Sequence, residues 1–289
     1  MKQNLLEKIS IYLLRKGYTI KSLARTCFDI VARKEDHILL IKVLEDANSI
    51  TEEFANEMKR ISSYIKASPI VVSEKAGQKL ENGIVYSRFD VYTLNYNTLV
   101  NCVENKMPFI KRDHAGLTIH VLGENLKRKR EEEGISLATL AKKVGVSRKM
   151  IQRYEKGETD VTVSKAFKIY DLFGGSVFER IDIFKDEKEK KYEPKSDIAK
   201  KFSSLGFDAL ETKKVPFDVI AKKEKNIILT DIGDKTKPGF KPLSKLIDAE
   251  SLVIFKKKKP KDIASMTKEE FLEYEKAKEL IKFLKEFED

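Results

Sequence analysis

Residues 123 to 175 read GENLKRKREEEGISLATLAKKVGVSRKMIQRYEKGETDVTVSKAFKIYDLFGG. The spacing predicts four consecutive helices. Leu126 and Arg130 lie four apart on a first helix that ends at Gly134. Ser136 is a suitable N-cap for a second, LATLAKKV, whose Leu140, Ala141 and Val144 make one apolar stripe. Gly145 supplies a tight turn that needs positive φ. Ser147 then caps a third helix. Val163, Ala166, Phe167, Ile169, Tyr170 and Phe173 form a long apolar pattern that predicts a fourth.

The third helix has two faces. Met150, Ile151 and Tyr154 are spaced to enter a small core. Arg148, Lys149, Gln152 and Arg153 fall on the other side as two i, i+4 pairs. Arg and Lys suit guanine O6 and N7, and Gln suits adenine N6 and N7. Residues 142–156 hold six Lys/Arg and one Glu, a local basic patch of the kind phosphate binding needs.

This segment resembles the helix-turn-helix domain of phage repressors and Cro proteins. The resemblance implies that the third helix enters the major groove of double-stranded DNA, with Ser147, Arg148, Lys149, Gln152 and Arg153 at the contact. It also implies a structural salt bridge between Arg130 and Glu155. One position departs from the pattern. The family usually has a phosphate-anchoring Gln directly after the N-cap of helix two, and here that residue is Leu137. Ser136, Lys142, Lys143 and the backbone at the helix start would have to take over.

The chain has 289 residues, enough for two or three domains, and a net charge of +11. No apolar run is long enough to span a bilayer. The N-terminus has charges inside its apolar stretch and does not read as a signal peptide, so a cytoplasmic location is expected. Cys27 and Cys102 lack metal-ligand spacing and read as buried thiols. His37, His114 and His120 read as surface or turn residues. No phosphate-binding loop, nucleophile elbow or zinc motif is present, and no cofactor or metal is expected.

The flanks contain a repeat. GYTIKSLARTCFDIVARKEDHILLIKV, from Gly17, matches GFDALETKKVPFDVIAKKEKNIILTDI, from Gly206, without a gap. Each copy is preceded by a helix-like segment and followed by a further apolar strand, PIVVS at 69–73 and SLVIF at 251–255. A duplicated α/β unit with the basic module between its copies is expected. The order of elements resembles the core of PD-(D/E)xK nucleases, which hold Mg²⁺ on carboxylates. Asp29 and Lys42 fit two of those places, but Leu40 stands where the second acidic residue belongs. In the later copy Asp218 is present, Leu229 fills the acidic place, and Asp231 replaces the lysine. A degenerate unit without catalysis is expected, since fold likeness alone licenses no activity.

The expected layout is an N-terminal nuclease-like α/β domain at 1–118 and a five-helix-type helix-turn-helix module at 119–184. A charged linker follows at 185–196, and 197–289 repeats the N-terminal unit and ends in one long helix over 267–288. The whole resembles a family of archaeal helix-turn-helix transcriptional regulators. That family implies sequence-specific DNA binding and transcriptional control without an enzymatic activity. A homodimer is expected, held by the α/β flanks, because one module covers only a half-site. The alternatives are a metal-dependent nuclease targeted by the module and a coactivator that uses the module for protein contacts.

Overall fold

The computed structural model describes residues 2–113, 116–185 and 192–287. Its first stretch holds α1 (Lys2–Arg15), β1 (Thr19–Ser22), β2 (Ile30–Lys34), β3 (His37–Val43), α2 (Glu52–Ile65) and β4 (Ala67–Val72). A small hairpin, β5 (Lys75–Ala76) and β6 (Gln78–Lys79), follows. Then come β7 (Ile84–Arg88), β8 (Val91–Leu94), α3 (Tyr96–Val103), β9 (Ile110–Asp113) and β10 (Gly116–Ile119). The middle carries α4 (Gly123–Glu132), α5 (Leu137–Val144), α6 (Arg148–Glu155), β11 (Val161–Thr162) and α7 (Val163–Phe173). The last stretch holds α8 (Asp197–Ser204), β12 (Asp208–Glu211), β13 (Val219–Lys223), β14 (Asn226–Ile232) and α9 (Phe240–Leu246). It ends with β15 (Glu250–Phe255), β16 (Ser265–Thr267), α10 (Lys268–Glu273) and α11 (Ala277–Lys285).

The chain divides into two compact units. One is Met1–Glu45, Ser49–Val71 and Phe184–Asp289; the other is Asp46–Asn48 and Val72–Ile183. This grouping cuts across the expected segments 1–118, 119–184 and 197–289. Residues 72–118 fall with the helical module, and the two ends of the chain fall together. Of the expected linker, residues 186–191 lie outside the described residues.

In the first unit, β1, β2 and β3 run in order with antiparallel pairing, and β4 lies next to β3. In its C-terminal half, β12, β13 and β14 repeat that meander, and β15 and β16 add in parallel. The registers correspond residue for residue across the 189-position offset. Thr19 pairs with Arg33 and Asp208 with Lys222; Ile30 pairs with Ile41 and Val219 with Thr230. The turns correspond as well. Glu35 and Glu224 both sit at φ 54°, and Gly17 and Gly206 at 82° and 83°. Lys34 Nζ donates to the Lys16 carbonyl as Lys223 Nζ does to Leu205, each at 3.0 Å.

The reason the ends group together is a shared core. Phe28, Leu40 and Met58 from one half pack in the same cluster as Phe217, Leu229 and Phe240 from the other. Polar ties rim it. The Cys27 amide donates to the Lys214 carbonyl (2.8 Å), the Lys213 amide to Glu57 Oε1 (2.6 Å), and Tyr64 to Asp208 Oδ1 (2.8 Å). Burial raises the pKa of Glu57, opposed by the Lys213 amide and Arg60. Cys27 and Cys102 are buried free thiols, and burial raises both, Cys102 to about 12.

A second core lies under α8, where Phe202 and Phe271 rings stand 4.8 Å apart. Here the single C-terminal helix expected over 267–288 is broken. A capping box of Thr267 and Glu270 starts α10, Tyr274 is extended, and α11 begins at Ala277. The apolar spacing predicts a buried stripe of Phe271, Tyr274, Ala277, Ile281 and Leu284. Phe271, Ala277 and Leu284 are buried, Tyr274 and Ile281 only partly, and the break brings in Leu280, which a continuous helix would place opposite Phe271.

In the second unit, β8, β7, β9, β10 and β11 form a sheet in that order. β11 is the two-residue segment between α6 and α7, and it pairs with β10 through Ile119 and Val161. A bridge from Val121 to Phe178 closes the module's other end. No helix among the described residues is long and apolar enough to cross a membrane.

Candidate nucleic-acid interface

The module forms around local signals. Ser136 Oγ accepts from the Thr139 amide and Ser147 Oγ from the Met150 amide, each at 3.1 Å, so both expected N-caps are made. Between the helices, Gly145 takes φ 77°, and its amide and that of Val146 both donate to the Ala141 carbonyl. Lys165 on α7 donates to the Gly145 carbonyl at 3.0 Å and holds the turn against the fourth helix. Leu126, Leu140, Val144, Ile151 and Ile169 fill the centre. Met150 is only half-buried at its edge.

Arg130 and Glu155 meet as the resemblance implies. Nε donates to Oε1 at 2.6 Å and Nη2 to Oε2 at 3.1 Å, while Nη1 reaches the Ile135 carbonyl at 3.1 Å. The hydrogen bond to Glu155 raises the Arg130 pKa. Gly123 belongs to the same joint: a Cβ there would run into the Tyr154 and Glu155 carbonyls, so α4 approaches the end of α6 only because residue 123 has none.

Arg148, Lys149, Gln152 and Arg153 are all exposed on one side of α6, opposite buried Ile151 and Tyr154. Lys142, Lys143, Ser136 and Ser147 are exposed at the end of α5 and the two helix starts. The two serine hydroxyls are already used as caps. Arg153 Nε lies 3.7 Å from Glu158 Oε2, a solvated pair of little strength. Leu137 is half-buried against the core, so at this position packing has taken the place of a phosphate-anchoring amide.

The apolar pattern of α7 is divided between the core and the surface. Ala166, Ile169 and Phe173 are buried, but Phe167 and Tyr170 are 63% and 54% exposed. They border an apolar cleft of about 200 Å³ that also includes Phe109 and Phe178. His37 and His120 are exposed, the latter 2.7 Å from Asp160; His114 lies outside the described residues.

The nuclease-like positions of the first unit are occupied differently from a metal site. Asp29 is buried and accepts from the Val43 amide (2.9 Å), from Lys2 Nζ (3.0 Å) and from Lys42 Nζ (3.4 Å). Burial lowers the Lys42 pKa, and Asp29 opposes that. Leu40 is fully buried in the shared core. Asp29 is therefore paired with two ammonium groups, a surrounding that opposes a divalent cation, and among the described residues no cluster of three or more His, Cys, Asp or Glu could hold one. In the other half the Ile232 amide donates to Asp218 Oδ2 at 2.8 Å, the counterpart of the Val43 bond. Lys237 Nζ sits between Asp218 (2.6 Å) and buried Asp231 (3.1 Å). Lys237 comes from a loop and aligns with no lysine in the first copy, so the repeat did not reveal it. Burial raises the Asp231 pKa; hydrogen bonds to both carboxylates raise that of Lys237 against its own desolvation.

The fold and exposed helix define a helix-turn-helix module joined to a PD-(D/E)xK-like α/β domain. Residues 126–179 match the helix-turn-helix family, and residues 2–108 match the PD-(D/E)XK superfamily domain. Over nearly its whole length the chain is similar to proteins called "Putative HTH-type transcriptional regulatory protein". That of Archaeoglobus fulgidus is 33% identical, covering 98% of this chain and 97% of its own. Those of Methanosarcina acetivorans and Methanocaldococcus jannaschii are each 32% identical, covering 100% and 96% of this chain and 98% and 95% of their own. The chain belongs to this archaeal family.

Proposed function

We propose that the protein is a sequence-specific transcriptional regulator that acts in the cytoplasm, laying α6 in the major groove of double-stranded DNA. The observation that carries this is the exposed row Arg148, Lys149, Gln152 and Arg153 on a helix whose start, turn and opposite face are all fixed. Lys142, Lys143 and the starts of α5 and α6 supply phosphate contacts beside it. Selection of bound fragments from random duplex DNA, followed by binding at several salt concentrations, tests the reading. A shared sequence motif and a fall of affinity with salt support it. Recovery of no motif, with protein partners bound through α6, would favour the coactivator reading.

The two α/β halves are read as copies of one nuclease-like unit that serve as scaffold. Their matched registers and the paired bonds at Asp29 and Asp218 support this. No cleavage of duplex, flapped or single-stranded DNA is expected with Mg²⁺ or Mn²⁺. Cleavage that disappears in Asp29→Ala or Asp218→Ala would reinstate the enzyme; cleavage unchanged in both variants would point to a contaminant.

The working form is a homodimer spanning two half-sites about 34 Å apart. The α/β halves bury their facing surfaces on each other, which leaves them less suited to join two chains than sequence alone implied. Exposed Phe167 and Tyr170, around an apolar cleft on the module itself, fit a second copy better. Sedimentation should give a dimer for the wild type and a monomer for Phe167→Glu/Tyr170→Glu with unchanged helicity. A wild type that is monomeric both free and on DNA would rule the dimer out.

A further inference from the structure

The second unit contains a cleft that the DNA-facing helix does not use. Its volume is about 930 Å³, within the range of small-molecule sites. Its floor is one face of three neighbouring strands. Thr93 on β8 pairs with Tyr86 on β7, and Tyr86 pairs with Arg112 on β9, so the three side chains stand in a row across the sheet. Arg88, two residues along β7, shares that face. Lys79 and Phe89 line the walls.

These side chains offer three kinds of contact. Lys79, Arg88 and Arg112 are cations at the opening, and Arg112 has a distant, solvated carboxylate, Glu81 at 3.8 Å. Two half-buried aromatic rings accompany them. Tyr86 is oriented by the Glu81 amide, which donates to its hydroxyl at 3.1 Å. Phe89 carries the Arg88 guanidinium over its ring, 5.2 Å from the centroid. The third contact is independent of both. Thr93 is 2% exposed, and its hydroxyl has no hydrogen-bond partner among the described residues. A buried hydroxyl without a protein partner is costly, and it leaves a hydrogen bond for water or a ligand to make. The β7–β8 turn adds that Phe89 and Asp90 both sit at positive φ, 51° and 60°. Asn-Gly is the usual pair there, and a bulky aromatic residue at such φ is rare.

We propose that this cleft binds a nucleotide. The planar base lies against Tyr86 and Phe89, its polar edge meets the Thr93 hydroxyl, and the phosphate is held by Arg88 and Arg112 with Lys79 beside them. Arginine pairs bidentately with phosphate, and every base has a face that stacks on aromatic rings. The same chemistry is presented by a free nucleotide and by one unit of a single strand. The site lies on β7–β9, no residue of α6 lines it, and it does not depend on the reading of that helix.

The test is calorimetric titration of the full chain with AMP, GMP, CMP and UMP, with inorganic phosphate, and with a short single-stranded oligonucleotide. At least one mononucleotide should bind with a submillimolar Kd and more tightly than phosphate alone. Arg112→Gln and Arg88→Ala should each weaken it tenfold or more, and Thr93→Val should weaken it severalfold without lowering the melting temperature of the free protein. Since Arg112 is exposed, Arg112→Gln keeps the test valid even if Arg88→Ala disturbs the turn. An oligonucleotide that binds tighter than any mononucleotide, and is equally sensitive to Arg112→Gln, identifies the strand as the source. Binding no tighter than phosphate, or binding indifferent to Arg88 and Arg112, overturns the proposal.

Discussion

Glu155→Ala should destabilise the helix-turn-helix module by about 3–5 kcal/mol, the typical cost of removing one partner from a buried ion pair. Arg130 and Glu155 side chains are only 10% and 8% exposed, and their contact is bidentate. Without Glu155, Arg130 keeps the Ile135 carbonyl and an exposed Glu131 at 3.3 Å, too little to replace what burial removes from its hydration. For a module of this size such a loss approaches its whole stability. The double variant Arg130→Met/Glu155→Leu should recover most of it, because two apolar groups leave no unpaired charge in the joint. The chain has two compact units, so the loss is to be read in the module's own transition, by amide exchange at Leu140 and Ile151. A single variant no less stable than Lys156→Ala would show that the pair is only a solvated surface contact.

What the sequence made legible follows from how local each signal is. The helix-turn-helix could be read because its determinants act within a few residues: Ser136 and Ser147 bond the third amide beyond themselves, and Gly145 takes φ 77° by its own freedom. The repeat could be read because a strand register shifts every side chain if it slips by one, so matched sequence enforces matched pairing. Other features depend on distant chain. Phe167 and Tyr170 have helical spacing with Ala166 and Ile169, but the module is too small to cover so wide a stripe. Nothing near Asp218 announces that Lys237 will swing between it and Asp231. The joining of the chain's two ends rests on a core shared by Phe28 and Phe217, with ties such as Cys27 to Lys214 at its rim, and no periodicity encodes that pairing. The cleft row Thr93, Tyr86 and Arg112 exists only once three strands pair.

The reading helix gives the second large effect. Arg148→Ala, Lys149→Ala and Arg153→Ala should each cost about 1–3 kcal/mol on the selected DNA sequence if the side chain meets a base edge. The triple variant should then bind at least about 100-fold more weakly, taking roughly 1.4 kcal/mol for each factor of ten. The fold has little reason to respond, since all three side chains are exposed and the ion pair of Arg153 is the solvated one with Glu158 at 3.7 Å. Lys142→Ala/Lys143→Ala provides the contrast. Removing a lysine from a phosphate weakens binding to all sequences alike. It also reduces the slope of log affinity against log salt by about 0.9 for each phosphate no longer neutralised. The two sets of variants therefore separate on two axes. Loss of preference for the selected sequence marks α6, and loss of salt dependence with preference retained marks the end of α5. If the α6 triple variant keeps both affinity and preference at unchanged helicity, α6 is not the reading element, and the module's basic face must serve another partner.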